Sequence, residues 1–316
     1  MKTESITQKG EQASCHAATP EGIYIISSSS AVEDPSQLHW AQQHLRALGW
    51  QVQLDGDALA VHQRFAGSDA QRLAAIERAL NQPHDVVLSS RGGYGLSRLL
   101  PFIDWKAVAQ SGKRFVGHSD FTAFNLALLA QTGAISYAGP CAAFDFGVEQ
   151  PDDLTLDLFH EAMTNQLEVL SFEAEGSDAV DTRGVLWGGN LAMLCSLLGT
   201  PYFPQVPDGI LFLEDVGEHP YRIERYLNQL WQAGVLAQQQ AIILGQFTGY
   251  HLAEHDRGYD MQAVIQWLRQ TIKKPVVLNL PYGHVPLKAT LPIGKKIGVA
   301  TEDDMAYLLI EEHHHE

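Results

Sequence analysis

Positive charge is scarce in this chain. Lys and Arg total 21 against 37 Asp and Glu, a formal net charge of −16. Such a field repels nucleic acid and anionic membranes, and no polybasic run offsets it. Neither is expected as a partner. Cysteine is scarcer still: Cys15, Cys141 and Cys195 are the whole supply. They form no CxxC pair for zinc, and an odd count fits no disulfide framework. Cys141 and Cys195 sit among apolar residues and read as small buried hydrophobes, as in a reducing compartment. No apolar run reaches the length of a bilayer span. The opening MKTESITQKGEQASC has no apolar stretch of the signal-peptide kind. A cytoplasmic location is therefore expected, with a flexible tail over 1–19. The last residues, 313–316, are expected to be a solvated tail rather than a metal site.

What is present is globular. Hydrophobic residues make up 45% and charged ones 18% of 316 residues, enough for two domains or one large one with a sizeable core. Gly22 to Ile26 is an apolar run bounded by serines and reads as a buried strand. Leu38, Ala41, Leu45 and Leu48 recur at helical spacing, with Gly49 placed to end the helix. Trp50 to Leu54 alternates like a strand. Ser68 and Gln71 form a capping box for a helix carrying Leu73, Ile76 and Leu80. Asp85 to Ser89 and Arg114 to Val116 read as further strands, and Phe121 to Ala130 as an apolar helix. Alternating strand and helix from about 20 to 145 predicts a parallel sheet covered on both faces, with its binding crevice at the carboxyl ends of the strands.

The chain then becomes acidic and less regular. A first domain over 20–165, a linker over 166–182 and a second domain over 183–312 are expected. The second half offers strands at Gly209 to Leu213, Gln240 to Leu244 and Pro275 to Leu278. One helix, Arg222 to Ala233, is clear. This half is expected to be a smaller, β-rich α/β domain.

Several segments could carry chemistry. Gly117-His118-Ser119-Asp120-Phe121 lies between a strand and an apolar helix, the setting of a nucleophile elbow. The Asp120 backbone N–H would face a developing oxyanion. The usual second glycine is replaced by Phe121, and Ser119 could equally cap the helix. Arg91-Gly92-Gly93-Tyr94-Gly95 follows a strand. Its glycines let backbone N–H groups approach a ligand, or simply make a tight turn. It is not GxGxxG, so no dinucleotide is expected. Glu214 and Asp215 end an apolar strand, where a carboxylate needs a partner. That partner could be a histidine, or Arg222 or Arg225 in a salt bridge. His284, in Pro281-Tyr282-Gly283-His284, follows a short strand and is placed as a general base would be, though the chain holds 14 histidines. His251-Leu252-Ala253-Glu254-His255 matches HxxEH, but its context is a polar loop, whereas zinc needs both histidines on one helical face.

Taken together, the chain resembles the LD-carboxypeptidase family of serine peptidases, which includes the microcin-immunity peptidases. The matching stretches are RFAGSDAQRL (64–73), RGGYGLSRLL (91–100), GHSDFTA (117–123), LWGGNLAML (186–194), LFLEDVGEHPYRIER (211–225), QAIILGQF (240–247) and LPYGHV (280–285). They stand in the family's order. The resemblance implies a nucleophile at Ser119, a glutamate at Glu214 and a histidine at His284. It implies oxyanion donors in the N–H groups of Asp120 and of Gly93 or Gly92. It further implies a flavodoxin-like, class I glutamine-amidotransferase-like N-terminal domain and a smaller β-rich swivelling C-terminal domain, with no cofactor, and a homodimer. The implied reaction removes terminal D-alanine from murein tetrapeptides, a recycling step. Arg91, opening the Gly-rich turn, is a candidate for the substrate's free carboxylate. One departure stands out: where the family has an Ala-Pro-Ser turn after the first strand, this chain reads Ser27-Ser28-Ser29-Ser30.

Two rival functions follow from the same residues. One is a microcin-immunity-type peptidase acting on a peptidyl-nucleotide antibiotic, and the other a non-catalytic muropeptide-binding protein. The HxxEH segment yields a separate test. Exhaustive chelation should leave peptide hydrolysis unchanged, whereas loss of activity restored by added zinc would establish a metallopeptidase.

Overall fold

The computed structural model describes residues 22–310. The tails expected at 1–19 and 313–316, and Cys15, lie outside the described residues. Among those residues no helix is long and apolar enough to cross a membrane.

The first half runs β1 (Ile23–Ile26), α1 (Ser36–Ala47), β2 (Val52–Leu54), α2 (Asp69–Leu80), β3 (Val86–Ser89), α3 (Trp105–Gln110), β4 (Arg114–Gly117), α4 (Thr122–Thr132), β5 (Ser136–Ala138) and α5 (Asp153–Met163). The second runs β6 (Val169–Glu173), β7 (Asp181–Asn190), α6 (Leu191–Ser196), β8 (Ile210–Val216), α7 (Pro220–Gln232), β9 (Ala241–Thr248), α8 (Met261–Ile272), β10 (Val276–Val277), β11 (Leu291–Ile293), β12 (Lys296–Glu302) and β13 (Met305–Leu309).

Two sheets result. A six-stranded sheet has the order β11-β5-β4-β3-β1-β2, and a seven-stranded sheet the order β10-β9-β8-β7-β12-β13-β6. In the first, β1 to β5 are all parallel. Such strands are buried on both faces and read as continuous apolar runs, which explains why all four residues of β1 are buried. Alternate residues face opposite helix layers. Tyr24, Ile26 and Val87 pack with α2 to α4, while Ile23, Ile25 and Val86 pack with α1 and α5. Helix starts and stops follow local chemistry. The Ser68 N–H donates to Gln71 Oε1 (3.0 Å) and the Gln71 N–H to Ser68 Oγ (3.3 Å), completing the capping box. Gly49 ends α1 with φ +93°, a value that glycine adopts without penalty.

The structure departs from the sequence reading in the second half. The 166–182 stretch is not simply a linker, because it contains β6, antiparallel to β13. Its VLSFE alternates exposed and buried residues, the period of a half-buried strand. Near the other end of the chain, β11 pairs antiparallel with β5 and so belongs to the first sheet. Helix α8 is also present, started by the Asp260 carboxylate accepting from the Gln262 and Ala263 N–H groups. It buries Val264, Ile265, Leu268 and Ile272. The expected α7 forms with Ile223, Leu227 and Leu230 inward.

Helix α4 joins the two halves. Its TAFNLALLAQT is apolar nearly all round, and every residue from Thr122 to Leu128 is buried. It packs on β5 in the first sheet and on β7 and α6 beside the second. Thr122 Oγ1 accepts the Asn190 N–H at 3.1 Å. This contact is close because Gly189 has no side chain: a Cβ there would lie 2.6 Å from Thr122 Oγ1.

Gly188 is the tighter neighbour. It has φ +138°, and an added Cβ would collide with the Phe212 carbonyl oxygen of the adjacent strand. Gly188→Ala should therefore lower stability by about 3 kcal/mol or more in urea unfolding. Gly56→Ala, where an added Cβ meets nothing within 4 Å, should stay within about 0.5 kcal/mol of the parent.

Candidate active site

The strand β4 ends at Gly117, and the chain turns sharply into α4. His118 is extended (φ −139°), and Ser119 follows at φ +60°. That left-handed conformation is strained for a residue with a side chain, by about 1–3 kcal/mol, and it lifts the hydroxyl clear of the sheet. Ser119 caps no helix: the residue before the turn is His118, and no side-chain cap forms. Phe121 replaces the second glycine of the usual motif without loss of the elbow. Its ring is fully buried, stacks on Phe124 (4.9 Å, 22°), and occupies space left by Gly117, whose Cβ would lie 2.7 Å from it.

The Gly-rich turn after β3 runs alongside. A Cβ on Gly92 would lie 2.6 Å from Ser119 Cβ and 2.9 Å from its Oγ. Gly93 (φ +105°) leaves room for Ser30. The four-serine turn and the Gly-rich turn thus interlock: the Ser30 N–H donates to the Gly92 carbonyl (3.3 Å) and the Tyr94 N–H to Ser30 Oγ (3.1 Å). Asp120 ties the Gly-rich turn to the elbow, since its Oδ2 accepts the Leu96 N–H at 2.9 Å. Burial raises the Asp120 carboxyl above the usual carboxylate range. Its backbone N–H stands in the first turn leading into α4, where helix donors lack intrahelical acceptors.

The second sheet brings the other groups. Glu214, on β8, is fully buried. A register irregularity between Leu213 and Asp215 takes it out of the ladder with β9, while it stays in register with Asn190 of β7; such irregularities re-aim side chains beside functional sites. Glu214 Oε2 is 2.9 Å from His284 Nδ1, and Asn190 Nδ2 donates to Glu214 Oε1 at 3.1 Å. The same Asn190 group donates to Asp215 Oδ1 at 3.0 Å, and Asp215 Oδ2 accepts the Ala192 N–H at 2.9 Å. Neither acid pairs with Arg222, whose partner is Glu218 at 3.4 Å. Burial, and then the charge of Glu214, push Asp215 up to about 6.

Ser119, His284, Gly92, Gly93 and Arg91 line one cleft of about 500 Å³, with His118 and Phe144. Ser119 Oγ makes no hydrogen bond to His284 among the described residues; the two side chains share the cleft. Arg91 Nη1 is held by Glu33 (2.8 Å) and the Ala31 carbonyl (3.0 Å), and its other N–H groups have no partner among the described residues. A depression of similar size along α8 brings together no such set of groups. The HxxEH segment is a loop with one short helical turn at Glu254–Asp256, and its residues His251 and His255 are exposed. With Nδ1 engaged by a carboxylate, the His284 imidazole keeps Nε2 as a proton acceptor. A hydroxyl on a strained elbow in the same cleft as such a base is the equipment of acyl transfer.

Sequence reasoning passed over Asn190, Asp145 and Lys288. Asn190 ends a strand and starts a helix, which is itself a signal. Lys288 stands one residue before Ala289-Thr290-Leu291-Pro292-Ile293 and is fully buried, which no local pattern indicates.

The two sheets and their cleft define a two-domain α/β peptidase. Residues 23–139 match the LD-carboxypeptidase N-terminal domain and residues 183–299 its C-terminal domain. The chain belongs to the LD-carboxypeptidase family. It is 30% identical over 283 residues to a probable murein peptide carboxypeptidase of Bacillus subtilis, covering 87% of this chain and 88% of that one. It is also 30% identical to a murein tetrapeptide carboxypeptidase of Pseudomonas aeruginosa, covering 86% and 91%. A crystal structure of muramoyltetrapeptide carboxypeptidase from Oxalobacter formigenes superposes with a TM-score of 0.87 at 41% identity, over 92% of this chain and 99% of that one. The microcin C7 self-immunity protein MccF shares the fold at 22% identity, with a TM-score of 0.85 over 93% and 97%.

The raised Asp215 carboxyl has a consequence for stability. Its folded value exceeds the ordinary one, so the folded state binds more protons than the unfolded state in that window. The Asp215 contribution to stability should then fall as pH rises from 3.8 to about 6 and level off above. Asp215→Asn removes this dependence. Across that window its urea midpoint should gain on the wild type, by about 2–3 kcal/mol in stability. A constant difference between the two proteins would contradict the assignment.

Proposed function

We propose that this chain is a serine carboxypeptidase that hydrolyses the L,D-peptide bond before the terminal D-alanine of a murein tetrapeptide. The observation that carries the reading is the 2.9 Å contact between His284 Nδ1 and the buried Glu214, opening on the same cleft as Ser119 at its strained elbow. In the proposed mechanism, His284 Nε2 takes the Ser119 proton as Oγ attacks the carbonyl carbon. Glu214 holds the imidazole and stabilises the imidazolium. The N–H groups of Asp120 and of Gly93 or Gly92 receive the oxyanion, at about 3 kcal/mol per donor. The C–N bond breaks, His284 passes its proton to the departing D-alanine nitrogen, and water then hydrolyses the Ser119 ester. Arg91, with N–H groups to spare, is proposed to meet the terminal carboxylate.

The names of the Bacillus and Pseudomonas relatives and of the Oxalobacter structure support the substrate. The MccF and MccF-like structures, at 22–24% identity, share the fold alone. The strand order β2-β1-β3-β4-β5 supports reading the first sheet as a flavodoxin-like, glutamine-amidotransferase-like domain over about 20–165. On that reading the switch point between β1 and β3 places the four-serine and Gly-rich turns at the crevice. The second sheet would be the smaller, swivelling domain over 183–312, extended by β6. A homodimer and a cytoplasmic location belong to this proposal through the family resemblance.

The test is release of D-alanine from a murein tetrapeptide, read by mass spectrometry. Wild type should remove one residue. Ser119→Ala and His284→Ala should lose about 10⁴-fold or more in kcat, and Glu214→Ala about 10³–10⁴-fold. Folded wild type that releases nothing would reject the tetrapeptide as substrate.

A further inference from the structure

Behind the cleft lies a charged group that the mechanism above does not use. Lys288 has no exposed surface, and lysine is almost never so buried unless paired. Its Nζ donates to Asp145 Oδ1 at 2.7 Å and lies 3.0 Å from His118 Nε2. Asp145 Oδ2 accepts the Cys141 N–H at 2.6 Å, and His118 Nδ1 is 3.2 Å from Cys141 Sγ. An ammonium only donates and an ionised carboxylate only accepts. His118 Nε2 must therefore accept from Lys288, and its proton sits on Nδ1, directed at the sulfur.

His118, Cys141 and Asp145 are close enough together to hold a metal ion, but the ammonium already sits between two of the three. The cation this cluster is built around is Lys288 itself.

The rings that Lys288 holds are those that flank His284. The His118 and His284 rings are 4.8 Å apart at 47°. Phe144 lies 6.5 Å from His284 at 69°, and Lys288 Nζ is 5.1 Å from the Phe144 centroid, within cation–π range. We propose that Lys288 is a positioning residue for this enzyme: its ammonium, anchored by Asp145, fixes His118 by hydrogen bond and Phe144 by its ring face, and so sets the orientation of His284. The inference rests on the reading of His284 as general base.

An uncharged His118 matters for the same reason. The charged and titratable groups facing His284 are Glu214 from β8, His118 from the elbow, Lys288 and Asp145 behind it, and Arg91 and Glu33 across the cleft. Lys288 and Asp145 pair at 2.7 Å, and the ammonium opposes the burial that raises the Asp145 carboxyl. A second positive ring at 4.8 Å would oppose the imidazolium that His284 must become. Burial, Lys288 and His284 all hold His118 well below the usual histidine range.

The test compares wild type with Lys288→Met and with the charge-balanced, near-isosteric Lys288→Met/Asp145→Asn. Lys288→Met alone strands a buried carboxylate and should lower Tm, which the double variant should largely restore. The restored protein should still show kcat reduced about tenfold or more, KM within about twofold, and a displaced acidic limb of the pH–kcat profile. Restored stability with wild-type kcat and pH profile would reduce Lys288 to charge compensation and overturn the proposal. A second readout needs no variant and no turnover. In ¹⁵N-histidine-labelled wild type, His118 should stay neutral with its proton on Nδ1 from about pH 5 to 8. A proton on Nε2, or a charged ring, would overturn the proposal even if both variants fail to fold. Because this signal does not depend on substrate, it also separates failure of this inference from failure of the tetrapeptide reading.

Discussion

Glu214 is a carboxylate with no exposed surface, and the arrangement of the site follows from satisfying it. An unpartnered buried carboxylate costs several kcal/mol, so its two oxygens dictate what stands around them. One takes Asn190 and the other His284. Asn190 must then end β7 beside β8, in register with Glu214, and the loop carrying His284 must return over the carboxyl end of the sheet. Asn190 also spans to Asp215, so one amide serves two neighbouring acids. Its own side-chain oxygen starts α6 by accepting the Met193 N–H.

The first sheet meets this assembly through α4. A helix buried almost all round cannot face solvent, and it has two sheets to bury against. Its amino end is the Ser119 elbow, and its first residue, Thr122, touches the Asn190 backbone. Packing along α4 thereby sets the strained serine beside the strand ends that carry Asn190 and the buried glutamate. The same logic of shared packing recurs in the Lys288 cluster. There β5, the Cys141 to Asp145 segment and the chain leading into β11 come together behind the cleft, and β11 crosses into the first sheet to close it.

Much was legible from local pattern. The buried strands of the first sheet, the Ser68–Gln71 box and the Gly49 stop each express a rule that acts within one or two turns of chain, where sequence distance and spatial distance agree. The elbow was legible in outline; what made it ambiguous, Phe121, is resolved by Gly117 four residues earlier, a contact that only the fold makes. The β6 strand within 166–182 is not legible locally because it is short and finds its partner, β13, more than a hundred residues later. Asn190, Asp145 and Lys288 escaped because each is defined by a partner on another element, at separations of 24 residues for Asn190–Glu214 and 143 for Lys288–Asp145.

By itself, then, the sequence determined the alternation of strand and helix in the first half and the family to which its ordered motifs point. These depend on propensity, periodicity and short spacing. Only the tertiary structure decided that one Asn190 amide serves both Glu214 and Asp215, that Phe121 fills the space beside Gly117, and that a buried ammonium sits behind the imidazole. Those outcomes depend on which side chains are excluded from water together, and burial is a property of the packed molecule that no local window of residues contains.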